Sequence, residues 1–218
     1  MPPEPFILAF DTSAAHCAVA LLSGDRILAE RVEEMTKGQA ERLFPLIEEL
    51  LSEAGVSWQD ITRIGTGIGP GNFTGIRIAV SAARGLALSL KVPAIGVSSF
   101  DALAYSLPRP VVASIDARAG RIYLQAFGPI GAGAPVTVDL DAIPVELLSK
   151  AKHVVGFHSR EIGAKTGAMA CEPAQPIAVS IALIAAATDA TLTPRPVPLY
   201  MRAADAAPPR EAPPVILP

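Results

Sequence analysis

The 218 residues, half of them hydrophobic and 18% charged, can bury a sizeable core in one large domain or two small lobes. A net charge of −3 argues against a protein that grips nucleic acid through a basic surface of its own. Cys17 and Cys171 make no disulfide framework, no basic n-region opens the chain, and no uninterrupted apolar run reaches about 18 residues, so a cytoplasmic protein without membrane contact is expected.

Phe6–Phe10 is a short apolar run ending at Asp11-Thr12-Ser13. Cys17–Leu22 and Ile27–Val32 follow across tight turns, which predicts a β-meander with Ser23-Gly24-Asp25 as one hairpin. In Gln39–Ala54, Ala40, Leu43, Phe44, Ile47, Leu50 and Leu51 recur at helical spacing while glutamates fill the other face, and Gly55 ends the helix. Ile61–Ile68 reads as a strand. The loop Gly69-Pro-Gly-Asn-Phe-Thr-Gly75 then opens a helix from about Thr74 to Leu90 that is rich in small residues. Gly85 inside it costs about 1 kcal/mol relative to Ala, which close packing against another element would offset. Pro93–Val97 is a strand, and Ser98 or Ser99 caps a helix over Phe100–Ser106.

A second lobe begins near Pro108. Val111–Asp116 and Arg121–Phe127 flank Ala117-Arg118-Ala119-Gly120 as a hairpin, and Gly128–Pro135 is a loop. Val136–Leu140 reads as a third strand, Pro144–Lys150 as a helix, His153–Phe157 as a strand and Ser180–Thr188 as a helix. The two halves thus repeat one coarse order of elements without repeating sequence. The proline-rich stretch 206–218 has the composition of a disordered or polyproline-like tail.

The Gly-rich loop is the sharpest chemical feature. Its glycines allow close backbone approach, and the helix start offers free N–H groups. Asp11, Gly69, Gly71 and Gly75 are therefore candidate phosphate-binding positions. The loop lacks both the Gly-Lys-Ser/Thr ending of a P-loop and the dinucleotide glycine spacing, and a tight strand-to-helix turn would use the same glycines. Asp11 also suits a plain turn. Asp116 with Arg118 and Arg121 is either an ion pair fixing a hairpin tip or a ligand site. His16, His153 and His158 have no metal-ligand spacing, and no nucleophile–base motif is present, so no catalytic or metal-binding residue is assigned.

The string Ile68-Gly-Pro-Gly-Asn-Phe-Thr-Gly-Ile-Arg77, continuing through Ala79-Val80-Ser81 to Arg84-Gly85-Leu86-Ala87, resembles the TsaB (YeaZ-like) family. Asp11-Thr12-Ser13, Asp116-Ala117-Arg118 with Arg121 and Tyr123, and Pro198-Leu-Tyr200-Met-Arg202 with Asp205-Ala206 match in the same order. The resemblance implies an α/β, two-lobed actin-like and sugar-kinase-like fold of mixed sheets flanked by helices. Its lobes would span 1–107 and 108–205. It implies a non-catalytic subunit of the assembly that forms N6-threonylcarbamoyladenosine in tRNAs reading ANN codons. Such a subunit pairs with the catalytic paralogue TsaD, is joined by the ATPase TsaE, and meets tRNA only through the complex. The TsaD family carries a metal-binding His-x-x-x-His on the helix after the strand matching Pro93–Val97; here those positions are Ser99 and Leu103. The resemblance therefore implies no cofactor, with nucleotide binding weak at best. An independent nucleotide-dependent phosphotransferase or a glycoprotease-like peptidase is the alternative, but no second phosphate loop and no hydrolytic motif supports either.

The family is thought to pair through the two helices of the first lobe. Leu43, Phe44, Ile47, Leu50, Ile76, Val80, Ala83 and Ala87 are the partner-facing positions this implies, and the same patch would drive homodimers without the partner. On that reading, Leu43→Glu, Ile47→Glu and Ala83→Arg leave a folded monomer that no longer binds. The opposing reading is that both stripes face the lobe's own sheet.

Overall fold

Two five-stranded mixed sheets of identical connectivity carry the fold in the computed structural model, which describes residues 4–143, 148 and 150–201. In the first, β1 (Phe6–Asp11), β2 (His16–Ser23) and β3 (Arg26–Glu34) form the antiparallel meander. Strands β4 (Ile61–Gly67) and β5 (Ala94–Val97) add in parallel on the far side of β1, giving the order β3-β2-β1-β4-β5. The second sheet repeats the plan with β6 (Val111–Asp116), β7 (Arg121–Phe127), β8 (Val136–Asp139), β9 (His153–Gly156) and β10 (Met169–Cys171), in the order β8-β7-β6-β9-β10.

Side chains alternate across a strand, so β1 has two cores. Leu8 and Phe10 pack beneath α1 (Gln39–Ala54) and α2 (Phe73–Leu90). Ile7 and Ala9 pack on the other face against a helix from the far end of the sequence. The second sheet is likewise covered, by α3 (Ser99–Ala104) on one face and α4 (Ser159–Thr166) on the other. The helix under the first sheet is α5 (Ile177–Ala187), which is apolar on every side and is therefore buried rather than amphipathic. The second half of the chain thus completes the core of the first.

Arg63 closes the exposed end of this helix. Its Nη1 donates to the carbonyls of Ala185 (2.5 Å), Ala186 (2.9 Å) and Thr188 (2.9 Å), which have no further helical turn to bond. Arg63→Ala is expected to lower stability by about 2 kcal/mol, the scale of charge-assisted hydrogen bonds lost, measured by urea unfolding. An unchanged midpoint would refute the capping role.

The expected partner-facing stripe requires correction. Leu43, Ile47, Leu50, Ile76, Val80 and Ala83 are all buried within the chain itself. Ala87 is half-buried against the same core, and only Phe44 is exposed, at 41%. Five strands are wide enough to cover both helices, so the apolar stripes are core. What α2 leaves outward is a different row: Arg77, Ser81, Arg84, Gly85 and Leu88, the last 78% exposed. At 18 residues α2 is, by length and composition, apolar enough to cross a membrane, which the sequence reading did not expect; here it lies on the sheet through Ala79 and Ala83.

Two elements differ from expectation by omission. Neither α4 nor β10 was anticipated: the helix has eight residues with only Ile162 and Gly163 buried, and the strand has three. The helix expected over Pro144–Lys150 lies almost wholly outside the described residues, as does the tail at 206–218.

Candidate functional site

The two sheets face each other across a cleft of about 1040 Å³. Its first wall is built at the end of β1. Parallel pairing of β1 with β4 brings Asp11 beside Gly67, where any Cβ would overlap Asp11 Oδ1. The carboxylate is buried, and Oδ2 accepts from Ser13 N (3.1 Å), Ser13 Oγ (3.0 Å) and His16 Nε2 (2.6 Å). Oδ1 has no hydrogen-bond partner among the described residues. Ser13 Oγ lies 3.4 Å from Ser99 Oγ, at the start of α3.

Burial alone would lower the pKa of His16, but the hydrogen bond and charge of Asp11, with Glu34 beyond, outweigh it and hold the imidazole above its ordinary value of 6.5. A pKa raised in the folded state means stability that is complete below about pH 6.5 and is lost as pH rises through the folded-state value. Urea unfolding is therefore expected to show stability falling across that window, and His16→Gln to flatten the slope. The same slope in the variant would assign the effect elsewhere.

The Gly-rich loop is close-packed against the β1–β2 turn. A Cβ on Gly71 would overlap Ser13 O, and one on Gly75 would overlap Thr12 O. Thr12 Oγ1 donates to Gly75 O (2.6 Å) and Asn72 N to Ser13 O (2.6 Å). Two of the N–H groups at the start of α2 are taken, because Asn72 Oδ1 accepts from Thr74 N (3.0 Å) and Gly75 N (3.3 Å) as its cap. Gly69, at φ 91°, meets Ile76 and Leu199 O. Of the four expected phosphate positions, Asp11 and Gly71 line the cleft, while Gly69 and Gly75 do not.

The second wall comes from β6 and its hairpin. Ser114, fully buried, faces the cleft with its Oγ unpaired among the described residues. Asp116 Oδ1 accepts from the backbone N of Arg118 (2.7 Å), which sits at φ 61°, so the hairpin tip is held by an amide rather than by an ion pair. At the mouth, the Arg77 guanidinium stacks 3.7 Å over Phe73 while Nε donates to Tyr200 Oη (2.9 Å). Leu199 N donates to Ile68 O (2.8 Å), so the stretch leading to Met201 straps the loop. Ser99 and Leu103 both line the cleft.

Cys17 is buried, and burial, with Glu33 beside it, pushes its thiol up to about 11, the signature of packing rather than nucleophilic attack. Among the described residues no three His, Cys, Asp or Glu side chains gather as a metal site. Sequence reasoning missed His16 and Ser114 as cleft residues. A histidine five positions after the turn aspartate was the only available sign of the first, and nothing marked the second.

Residues 26–191 match the family model described as tRNA N6-adenosine threonylcarbamoyltransferase, TsaD. The tRNA threonylcarbamoyladenosine biosynthesis protein TsaB of Escherichia coli is 38% identical over 126 residues, 56% of this chain and 54% of that protein. The chain spans about half the length of the curated relatives it matches. A crystal structure from Pseudomonas aeruginosa, of a protein with similarity to peptidase YEAZ, is 28% identical and covers 91% of this chain and all of that one, with a TM-score of 0.69. The ethanolamine utilization protein EutJ of Carboxydothermus hydrogenoformans, at 14% identity over 84% of this chain and 90% of that one, has a TM-score of 0.53 and shares the fold alone. The α/β architecture of mixed sheets flanked by helices expected from the sequence holds.

Proposed function

The chain belongs to the tRNA N6-adenosine threonylcarbamoyltransferase family as a TsaB/YeaZ-like member, and from that premise we propose that it is a non-catalytic scaffold subunit in the formation of N6-threonylcarbamoyladenosine in tRNAs reading ANN codons. It pairs with a TsaD-type catalytic subunit in the cytoplasm. A TsaE-type ATPase joins the pair, and tRNA is met through the complex. The chain needs no cofactor of its own, and binds nucleotide weakly at best. The observation that carries this reading is the helix that contributes the cleft residues Ser99 and Leu103. Where the catalytic relatives resembled by this sequence place two imidazoles, a hydroxyl and an isobutyl group cannot ligate a metal in their stead.

Pairing uses the outward row of α2, where Ser81 and Gly85 allow a second helix to approach closely and Leu88 supplies an exposed apolar side chain. Without the partner the same row supports a homodimer. Co-purification with a TsaD-type subunit, followed by a modification assay with and without this chain, tests the reading. Stable pairing and modification that requires both chains are expected. Modification by this chain alone, or undiminished modification without it, would overturn it.

A further inference from the structure

Helices α1 and α2 pack on the same face of the first sheet, and they run in the same direction. Strand β3 ends at Glu34, opposite His16 at the cleft, and α1 leads from there to the start of β4 beside Phe6. Helix α2 leaves the cleft end of β4 and leads back to β5, which begins beside Ile64. Their outward rows have the same spacing. Glu41, Pro45, Glu48 and Ser52 are exposed along α1, and Arg77, Ser81, Arg84 and Leu88 along α2, both in steps of four, three and four residues. Residues so spaced share one face of a helix. The first row is acidic at its first and third positions, and the second is basic at the same two. Thr36, just before α1, and Arg77 both line the cleft, which puts the starts of the two rows near one level. Glu49 and Glu53 are held by Arg42 and Arg31 of the same chain, whereas Glu41, Glu48 and Arg84 belong to no ion pair among the described residues.

A two-fold dimer that stacks this face on itself has two arrangements. With the axis across the helices, α1 lies on α1 and α2 on α2, which sets glutamates against glutamates and arginines against arginines. With the axis along the helices, each α1 lies parallel on the partner's α2. Acid then meets base at two positions, and symmetry repeats both. Opposed charges favour the second arrangement and like charges exclude the first. We propose that this face binds a second copy of the chain, α1 on the partner's α2, with Glu41 and Glu48 set against the partner subunit's Arg77 and Arg84. The proposal rests on the reading of the α2 row as a pairing surface, and adds to it the acidic row of α1 and the charge register that selects the arrangement.

The test is analytical ultracentrifugation of the full chain over a concentration series up to about 100 μM, with Glu48→Arg and Arg84→Glu alone and mixed in equal amounts. Both positions are exposed, and circular dichroism checks that each variant is folded. The parent is expected to dimerise. Each variant alone should do so about tenfold more weakly, because one substitution turns two symmetry-related attractions into repulsions. The mixture should recover to within about threefold of the parent, since every contact in the mixed dimer again opposes unlike charges. Recovery on mixing requires contact between chains, which an ion pair within one chain would not give. A parent that stays monomeric throughout the series would overturn the second copy as occupant. A dimer indifferent to either substitution, or variants that fail to recover when mixed, would overturn the register. Co-purification with a TsaD-type subunit reads the pairing surface separately, so a failure of that reading is told apart from a failure of this one.

Discussion

Gly75→Ala and Gly85→Ala, ten positions apart in α2, are expected to move stability in opposite directions. Both substitutions replace the least helix-favouring ordinary residue with the best, a gain of about 1 kcal/mol for the helix itself. At Gly85 nothing lies within 4 Å of the added Cβ, so the isolated chain should keep that gain. At Gly75 the added carbon would overlap Thr12 O, which is backbone and cannot swing away as a side-chain end could. The Thr12 hydroxyl is also bonded to Gly75 O, so moving the turn sacrifices that bond. Overpacking of this kind costs about 1–3 kcal/mol or more, and the lost bond adds about 1, so after the helix gain of about 1 a net loss of roughly 1–3 kcal/mol is expected. Urea unfolding of the two variants beside the parent decides it. A stabilised Gly75→Ala would mean that the β1–β2 turn does not sit on the loop. A destabilised Gly85→Ala would mean that an unseen contact already occupies that face of the isolated chain.

The same loop illustrates what sequence can and cannot carry. The spacing of Gly69, Gly71 and Gly75 was legible as a demand for close approach, but the groups approached are the protein's own: the Thr12–Ser13 backbone at Gly71 and Gly75, and Ile76 with Leu199 O at Gly69. Nothing in the motif distinguishes a phosphate oxygen from a carbonyl oxygen as the neighbour, and Asn72 caps the helix from within the loop. Helix α1 was legible to its limits, Gln39–Ala54, because its stripe is regular and Gly55 takes the left-handed conformation at φ 65° that stops it. The direction that stripe faces was not, since the width of a sheet is set by strands contributed from β1 to β5 and not by the helix. The cleft was half-legible for a related reason. Asp11 stands at a turn in the first sheet, whereas Ser114 looks like any small residue of a buried strand until the two sheets are set face to face. Likewise α5 gives no sign in its own sequence that it packs under a sheet whose last strand, β5, ends at Val97, far earlier in the chain.

Ile47→Glu and Leu88→Glu separate the core from the proposed pairing surface. Ile47 is fully buried in one hydrophobic cluster with Leu43, Leu50 and Phe10. A glutamate there loses the buried aliphatic group and gains an unpaired carboxyl, roughly 5 kcal/mol or more, which is comparable with the whole stability of an ordinary domain. The variant is expected to be unfolded by circular dichroism, and Leu43→Glu and Ala83→Arg with it, reversing the outcome anticipated from the stripe alone. Leu88 projects outward at 78% exposure, so its replacement should change stability by no more than about 0.5 kcal/mol. A carboxylate at the centre of a packed helix pair would nonetheless be desolvated without a partner, a cost of several kcal/mol and hence about a hundredfold or more in affinity. Leu88→Glu is therefore expected to remain folded while losing capture by a TsaD-type subunit. A folded Leu88→Glu that still pairs would move the contact off α2, and an unfolded one would mean that the outward row is itself part of the core.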